Sequence, residues 1–168
     1  TEHIPLSRVK DHLNEKLIEF RIKEVFNSLL NDFGIKRPKV AVLSIDPHVG
    51  DQGVIGNDDE KLLKPVLNKL IGESYEIKGP YASDSFFGSQ SYKNFDAIVA
   101  TYHDQGLIPF KTLTFGKGVN FTAGLDIVRT SPDHGTAYDI SGKNIANYDS
   151  FKSAIFTSIE IVKNRGKN

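Results

Sequence analysis

Between Leu6 and Asn31, apolar residues at Leu6, Val9, Leu13, Leu17, Phe20, Val25, Phe26, Leu29 and Leu30 return at intervals of three and four. That is the period of an amphipathic helix. Ser7 or Pro5 can open it, and Gly34 lies beyond its end as a C-cap. The pattern then changes. Lys39 to Ile45, KVAVLSI, is a continuous apolar and β-branched run that reads as a buried strand, followed by the Gly-rich polar loop DPHVGDQGVIGNDDE. Asp58 or Asp59 can start a second helix, with a stripe of Leu62, Leu63, Val66, Leu67, Leu70 and Ile71 that ends at Gly72, and with Pro65 shifting its start or kinking it.

YEIKGPYASDSFF predicts a short strand and then a loop, and Ala97 to Thr101 a second buried strand, again followed by a polar loop. VNFTAG and DIVRTS predict two shorter strands. Ser150 to Lys163 predicts a last helix with Phe151, Ala154, Ile155, Ile159 and Val162 on its inner face. Strands alternating with helices define an α/β layered domain with a mixed sheet flanked by helices. No internal repeat, low-complexity tract or linker divides residues 1–168, so one domain is expected.

Composition narrows the partners. Twenty-one basic residues balance twenty-one acidic ones without a block of like charge, which argues against a nucleic-acid stripe or a polybasic membrane anchor. Cysteine is absent, so disulfides and thiolate metal sites are excluded. No apolar run approaches a membrane span, and the opening TEHIPLSRVKDHL lacks the layout of a signal peptide. A cytoplasmic protein with a small polar partner is the expectation. Methionine is also absent, even at position 1, so the sequence is expected to be a piece of a longer chain.

The chemistry concentrates between Ala100 and Thr136. His48 and His103 each follow a strand at its carboxyl end, in loops with glycine and aspartate nearby, which is where ligands bind in open α/β sheets. Two such loops can converge on one ion. Imidazole suits zinc, cobalt or manganese, and His3 is a candidate third ligand. A loop histidine more often bonds to backbone or faces solvent, as is expected of His12, and no HxH or HExxH pair sharpens the metal reading. Lys111, Lys117, Asn120 and Arg129 form a second group among Gly116, Gly118 and Gly124, suited to an anionic substrate, with Lys117 the most expendable. Solvated cations on a turn are the plainer reading. Neither a Walker sequence nor a GxGxxG turn is present. In PDHGTA, Asp133 is equally a helix cap or a functional acid.

YHDQG at 102–106, FGKGVNFTAGLDIVRTSPDHGTA at 115–137, DPHVGDQGVIG at 46–56 and the opening TEHIPL resemble the C-terminal part of the 4-hydroxythreonine-4-phosphate dehydrogenase family of pyridoxal phosphate biosynthesis. The resemblance implies an isopropylmalate-dehydrogenase-like fold and a homodimer. It also implies a divalent metal (zinc, magnesium, cobalt or manganese) on three histidines matching His3, His48 and His103, shared between subunits. Lys111, Asn120 and Arg129 match the residues that hold the phosphorylated substrate. NAD or NADP would accept hydride, with no cofactor-binding residue assigned here. Where the family writes NPHAGE, this chain has Asp46, Pro47, His48, Val49, Gly50 and Asp51, which places an extra acid near the ion. An N-terminal domain, with a His-Thr pair that contacts substrate, is expected to be missing. The proton acceptor is left open among Asp104, Asp133 and His134. Other readings are a dehydrogenase of a phosphorylated sugar acid, a non-catalytic metal-binding dimerisation module, and an acyl or phosphoryl transferase.

Overall fold

A computed structural model describes residues 1 and 3–167. Its organising element is β1 (Val40–Leu43), buried along its whole length, flanked by β2 (Ile77–Tyr81) and β3 (Ala97–Val99) in a parallel sheet ordered β2-β1-β3. Parallel neighbours require crossover connections. The first carries α3 (Lys64–Gly72) and the second α4 (Ser83–Gly88). Alternation along β1 sorts the core into two layers. Val40 and Val42 face α2 (Glu15–Asn31) and α3, against Ile18, Ile22, Phe26, Leu63, Val66, Leu67 and Leu70. Ala41 and Leu43 face Phe86, Tyr81, Phe95 and Ile98 on the other side.

The predicted opening helix is two. A 3-10 turn at Leu6–Arg8 runs into α1 (Val9–His12), the chain extends through Leu13 and Asn14, and α2 begins afresh. Asn14 explains the break. Its side-chain oxygen accepts from Leu17 N at 2.9 Å, so it serves as an N-cap, where asparagine is favoured, and not as an interior residue. The buried face of α2 is Ile18, Ile22, Phe26 and Leu29, one step round from the predicted stripe; Phe20 is exposed. At its end Gly34 takes φ +67°, and Ile35 N donates to Leu29 O at 2.9 Å.

Three further expectations change. The segment after β3 is a helix, α5 (His103–Thr114), despite an internal Pro109, and the segment after β2 is α4. The hairpin is shorter than predicted, pairing β4 (Val119–Phe121) antiparallel with β5 (Thr130–Pro132). The carbonyls of Leu125 and Asp126 accept from Arg165 instead of joining a ladder. In α6 (Asp149–Arg165) the inner face is Ser150, Ala154 and Ile161, whereas Phe151 (57% exposed), Ile155, Ile159 and Val162 point outward. Small residues let α6 lie close on the hairpin: Thr130 Oγ1 donates to Ala154 O at 2.9 Å, and Ser150 Oγ donates to Gly118 O at 2.6 Å. Among the described residues no helix is long and apolar enough to cross a membrane.

Candidate active site

The carboxyl ends of β1 and β3 carry the two histidine segments. His103 is the first residue of α5, after an extended Tyr102 N-cap, and its Nδ1 lies 2.7 Å from Asp104 Oδ1. A carboxylate only accepts, so the hydrogen bond places the proton on Nδ1 and leaves the Nε2 lone pair for a ligand. The His3 ring lies 5.6 Å from that of His103, centroid to centroid. The chain start is held there by Thr1, whose Oγ1 donates to Thr101 O at 2.7 Å. Ile4, Pro5, Leu6, Val9 and Tyr102 complete an open cleft of about 350 Å³ around the two rings.

His48 stands apart, on a loop of unusual backbone. His48, Val49, Gly50, Asp51 and Gln52 all have left-handed φ, between +43° and +78°. Such a run is costly for residues with a Cβ, above all for β-branched Val49, and persists only where the surroundings enforce it. Backbone bonds from Val54 N to Asp51 O and from Ile55 N to Gly50 O hold the run itself, and two carboxylates tie the ends of the loop. Asp59 accepts from Ile45 N and Asp46 N, both at 2.9 Å, and Asp46 Oδ2 accepts from Asp58 N at 3.0 Å. Gly56 packs so closely on Asp46 that a Cβ there would fall on its carboxylate. Asp59 is fully buried, and burial raises its pKa above the usual carboxylate value, with Asp46 and Asp58 adding to the rise against the two backbone donors. Asp59 opens the helical segment, as the sequence suggests, in a π-helical turn over Asp59–Leu63 that leads into α3, and its carboxylate also ties the root of the His48 loop. The doubled DD before an apolar run gave no sign of this.

The anion group falls into two pieces. Lys111, on the last turn of α5, pairs with Asp133 at 3.1 Å, and Asp133 N is held by Ser150 Oγ at 3.0 Å. Asn120 lies opposite Ser131 in the hairpin, and Arg129 reaches from its other strand end to Thr122 Oγ1 at 2.8 Å. All of Lys111, Asn120 and Arg129 are exposed. His134 is exposed too, its Nδ1 3.0 Å from Gly135 O. Among the described residues no three His, Asp or Glu side chains converge as a metal site; the structure brings His3 and His103 together, and His48 does not line their cleft. Lys117 N donates to Thr114 O, and among the described residues its side chain makes no ion pair.

The same architecture occurs in solved structures. That of 4-hydroxythreonine-4-phosphate dehydrogenase from Klebsiella pneumoniae matches 98% of this chain and 49% of its own, at 36% identity and TM-score 0.79. A terephthalate 1,2-cis-dihydrodiol dehydrogenase from Burkholderia xenovorans matches 94% of this chain and 50% of its own, at 28% identity and TM-score 0.74. The fold is therefore of the isopropylmalate-dehydrogenase-like α/β class. Residues 1–158 match the family model of pyridoxal phosphate biosynthetic protein PdxA, and the chain belongs to that family. Relatives named 4-hydroxythreonine-4-phosphate dehydrogenase include those of Bacteroides thetaiotaomicron, 46% identical over 98% of this chain and 45% of the relative, and Prosthecochloris aestuarii, 44% identical over 98% and 48%. The chain spans about half the length of the curated relatives it matches.

Proposed function

We propose that this chain supplies the metal-binding and substrate-anion half of a 4-hydroxythreonine-4-phosphate dehydrogenase, which oxidises its phosphorylated hydroxy amino acid with NAD or NADP as hydride acceptor. The observation that carries the proposal is the His3–His103 pair, with Asp104 fixing the His103 tautomer, in a chain of this family. Two imidazoles set this way fit two ligands of a divalent ion, and the partner subunit's His48 is the third in a homodimer whose sites are shared. When bound, the metal polarises the substrate hydroxyl and stabilises negative charge on its oxygen.

The chain's own groups do the rest. Arg129 offers a planar fork to a phosphate or carboxylate, Lys111 a point charge, and Asn120 an amide that orients the anion between them. Lys111 is held by Asp133 until substrate competes for it. Oxidation sends hydride from the carbinol carbon to the nicotinamide and the hydroxyl proton to a base, and the resulting β-keto acid then releases carbon dioxide. Asp104 is engaged by His103 and Asp133 by Lys111, whereas His134 is bonded through Nδ1 to Gly135 O and, among the described residues, has no partner at Nε2, so it is the proton acceptor these contacts favour.

A dehydrogenase of another substrate, such as a phosphorylated sugar acid, is the second reading. It is favoured by the Burkholderia xenovorans structure, in which the same fold carries a differently named dehydrogenase. NADH or NADPH formation is to be measured with divalent metal, NAD or NADP, and 4-phosphooxy-L-threonine. Turnover with that compound and none with unphosphorylated 4-hydroxythreonine supports the first reading. Preference for a phosphorylated sugar acid supports the second, and metal uptake without any turnover identifies a binding module.

A further inference from the structure

The sheet ends before the site begins. The β1–β3 ladder pairs Val40 with Ala97, Ala41 with Ile98 and Val42 with Val99. Continued by two residues in that register, the next facing positions are Ser44 and Thr101. They are joined, but not to each other. The side chain of Gln105, from the first turn of α5, lies between them: its Oε1 accepts from Thr101 N at 2.6 Å and from Thr101 Oγ1 at 3.0 Å, while its Nε2 donates to Ser44 O at 2.7 Å and to Ser83 Oγ at 2.8 Å. A primary amide carries the same donor and acceptor as a peptide group, and all four bonds of this one are made within a buried site.

We propose that Gln105 is a positioning residue that acts as a surrogate ladder rung and sets the spacing of the three histidine segments. Thr101 leads directly to His103 and, through Thr1 on its carbonyl, holds the segment of His3. Ser44 leads to His48, and its Oγ donates to Asp46 O at 2.8 Å at the root of that loop. One side chain thus links all three. A glutamine is the fitting residue, because a carboxylate would keep the acceptor toward Thr101 but oppose Ser44 O with a second lone pair, and an apolar isostere would leave both ends unpaired. The metal consequence rests on the histidine reading given above; the rung does not.

The test uses Gln105→Glu and Gln105→Leu in the full chain, with the Cε1–H resonances of His48 and His103 as the readout, followed from neutral to alkaline pH until the introduced carboxyl, which burial keeps protonated longer than usual, has ionised. Gln105→Glu is expected to move His48 and leave His103 in place; Gln105→Leu is expected to move both, with native far-UV circular dichroism. His48 unmoved in Gln105→Glu overturns the proposal, and this variant decides the matter if Gln105→Leu does not fold. Cobalt(II) affinity is measured alongside, and a loss of roughly ten- to a hundredfold in Gln105→Leu is expected of a residue that orients ligands. Undiminished affinity there counts against the proposal. A wild-type chain that takes up no cobalt defeats the metal reading instead, and the resonances still judge the rung.

Discussion

Arg165 Nε donates to Asp32 Oδ1 across 2.6 Å, tying the last turn of α6 to the end of α2. The same guanidinium caps the carbonyls of Leu125 and Asp126 at 3.0 and 3.1 Å, and Asn164 Nδ2 donates to Asp32 O at 2.9 Å. The turn between β4 and β5, and with it Arg129, is therefore fastened to the main layer by one side chain. Phe33 against Phe121, rings 5.7 Å apart and edge to face, is the apolar part of the same seam.

Among the described residues, replacing Arg165 with alanine leaves the buried Asp32 carboxylate with Ser28 Oγ alone, at 2.7 Å. Losing one partner of a largely buried pair costs about 2–3 kcal/mol when the other is partly solvated, as Arg165 is. Urea denaturation should show that loss. Arg165→Lys should recover less than half of it, because an ammonium cannot reach the carboxylate and two carbonyls together.

The helix α6 shows why part of this fold was hidden in the sequence. Hydrophobicity alone selected Phe151, Ala154, Ile155, Ile159 and Val162 as its inner face; of these five Ala154 is buried, beside Ser150 and Ile161, and the other four are exposed. Close approach to a hairpin selects for small side chains, a signal that a hydrophobic period does not contain. By contrast, the strands at 40–43 and 97–99 and the helix at 64–72 were legible, since each is a dense apolar run set against the buried sheet. At the site, the sequence singled out His3, His48, His103, Lys111, Asn120 and Arg129, but not Gln105 or Asp59. Gln105 lies inside the YHDQG stretch, but a side chain that acts by bonding to backbone does not announce that role by its residue type.

Ala154→Leu should therefore destabilise the chain by about 1–3 kcal/mol through overpacking against Thr130, whereas Phe151→Ala, at a largely exposed position, should cost less than about 1 kcal/mol. Thermal or urea unfolding of the two variants checks this directly. The reverse order would place Phe151, and not Ala154, on the buried face.

Asp59 makes stability depend on pH. Its folded pKa is raised above the unfolded carboxylate value, so between the two the folded state binds the proton more tightly. Stability from this group is highest below the unfolded pKa, near pH 4, and falls as pH rises through the folded pKa. Asp59→Asn removes that fall but lacks a second acceptor for Ile45 N and Asp46 N. The stability of Asp59→Asn minus that of the wild type should therefore become more favourable from pH 4 to pH 7. Denaturation curves at several pH values that run parallel for the two proteins would contradict it.

Shared metal sites make a prediction about mixtures. If His3 and His103 of one subunit complete a site with the partner subunit's His48, then His48→Ala and His103→Ala homodimers each lose every three-histidine site. A mixed dimer keeps one: the His48→Ala protomer contributes intact His3 and His103, and the other contributes intact His48. Its second site lacks both. Random exchange makes half of all dimers mixed, so equal amounts of the two variants should recover roughly a quarter of the wild-type capacity for cobalt(II). That His3 and His103 pair without His48 lining their cleft is what motivates the experiment. Equilibrium dialysis before and after subunit exchange gives the answer. Recovery near a quarter supports sites built across a dimer with His48 and His103 from different subunits, and no recovery after complete exchange shows that these two histidines must come from the same chain.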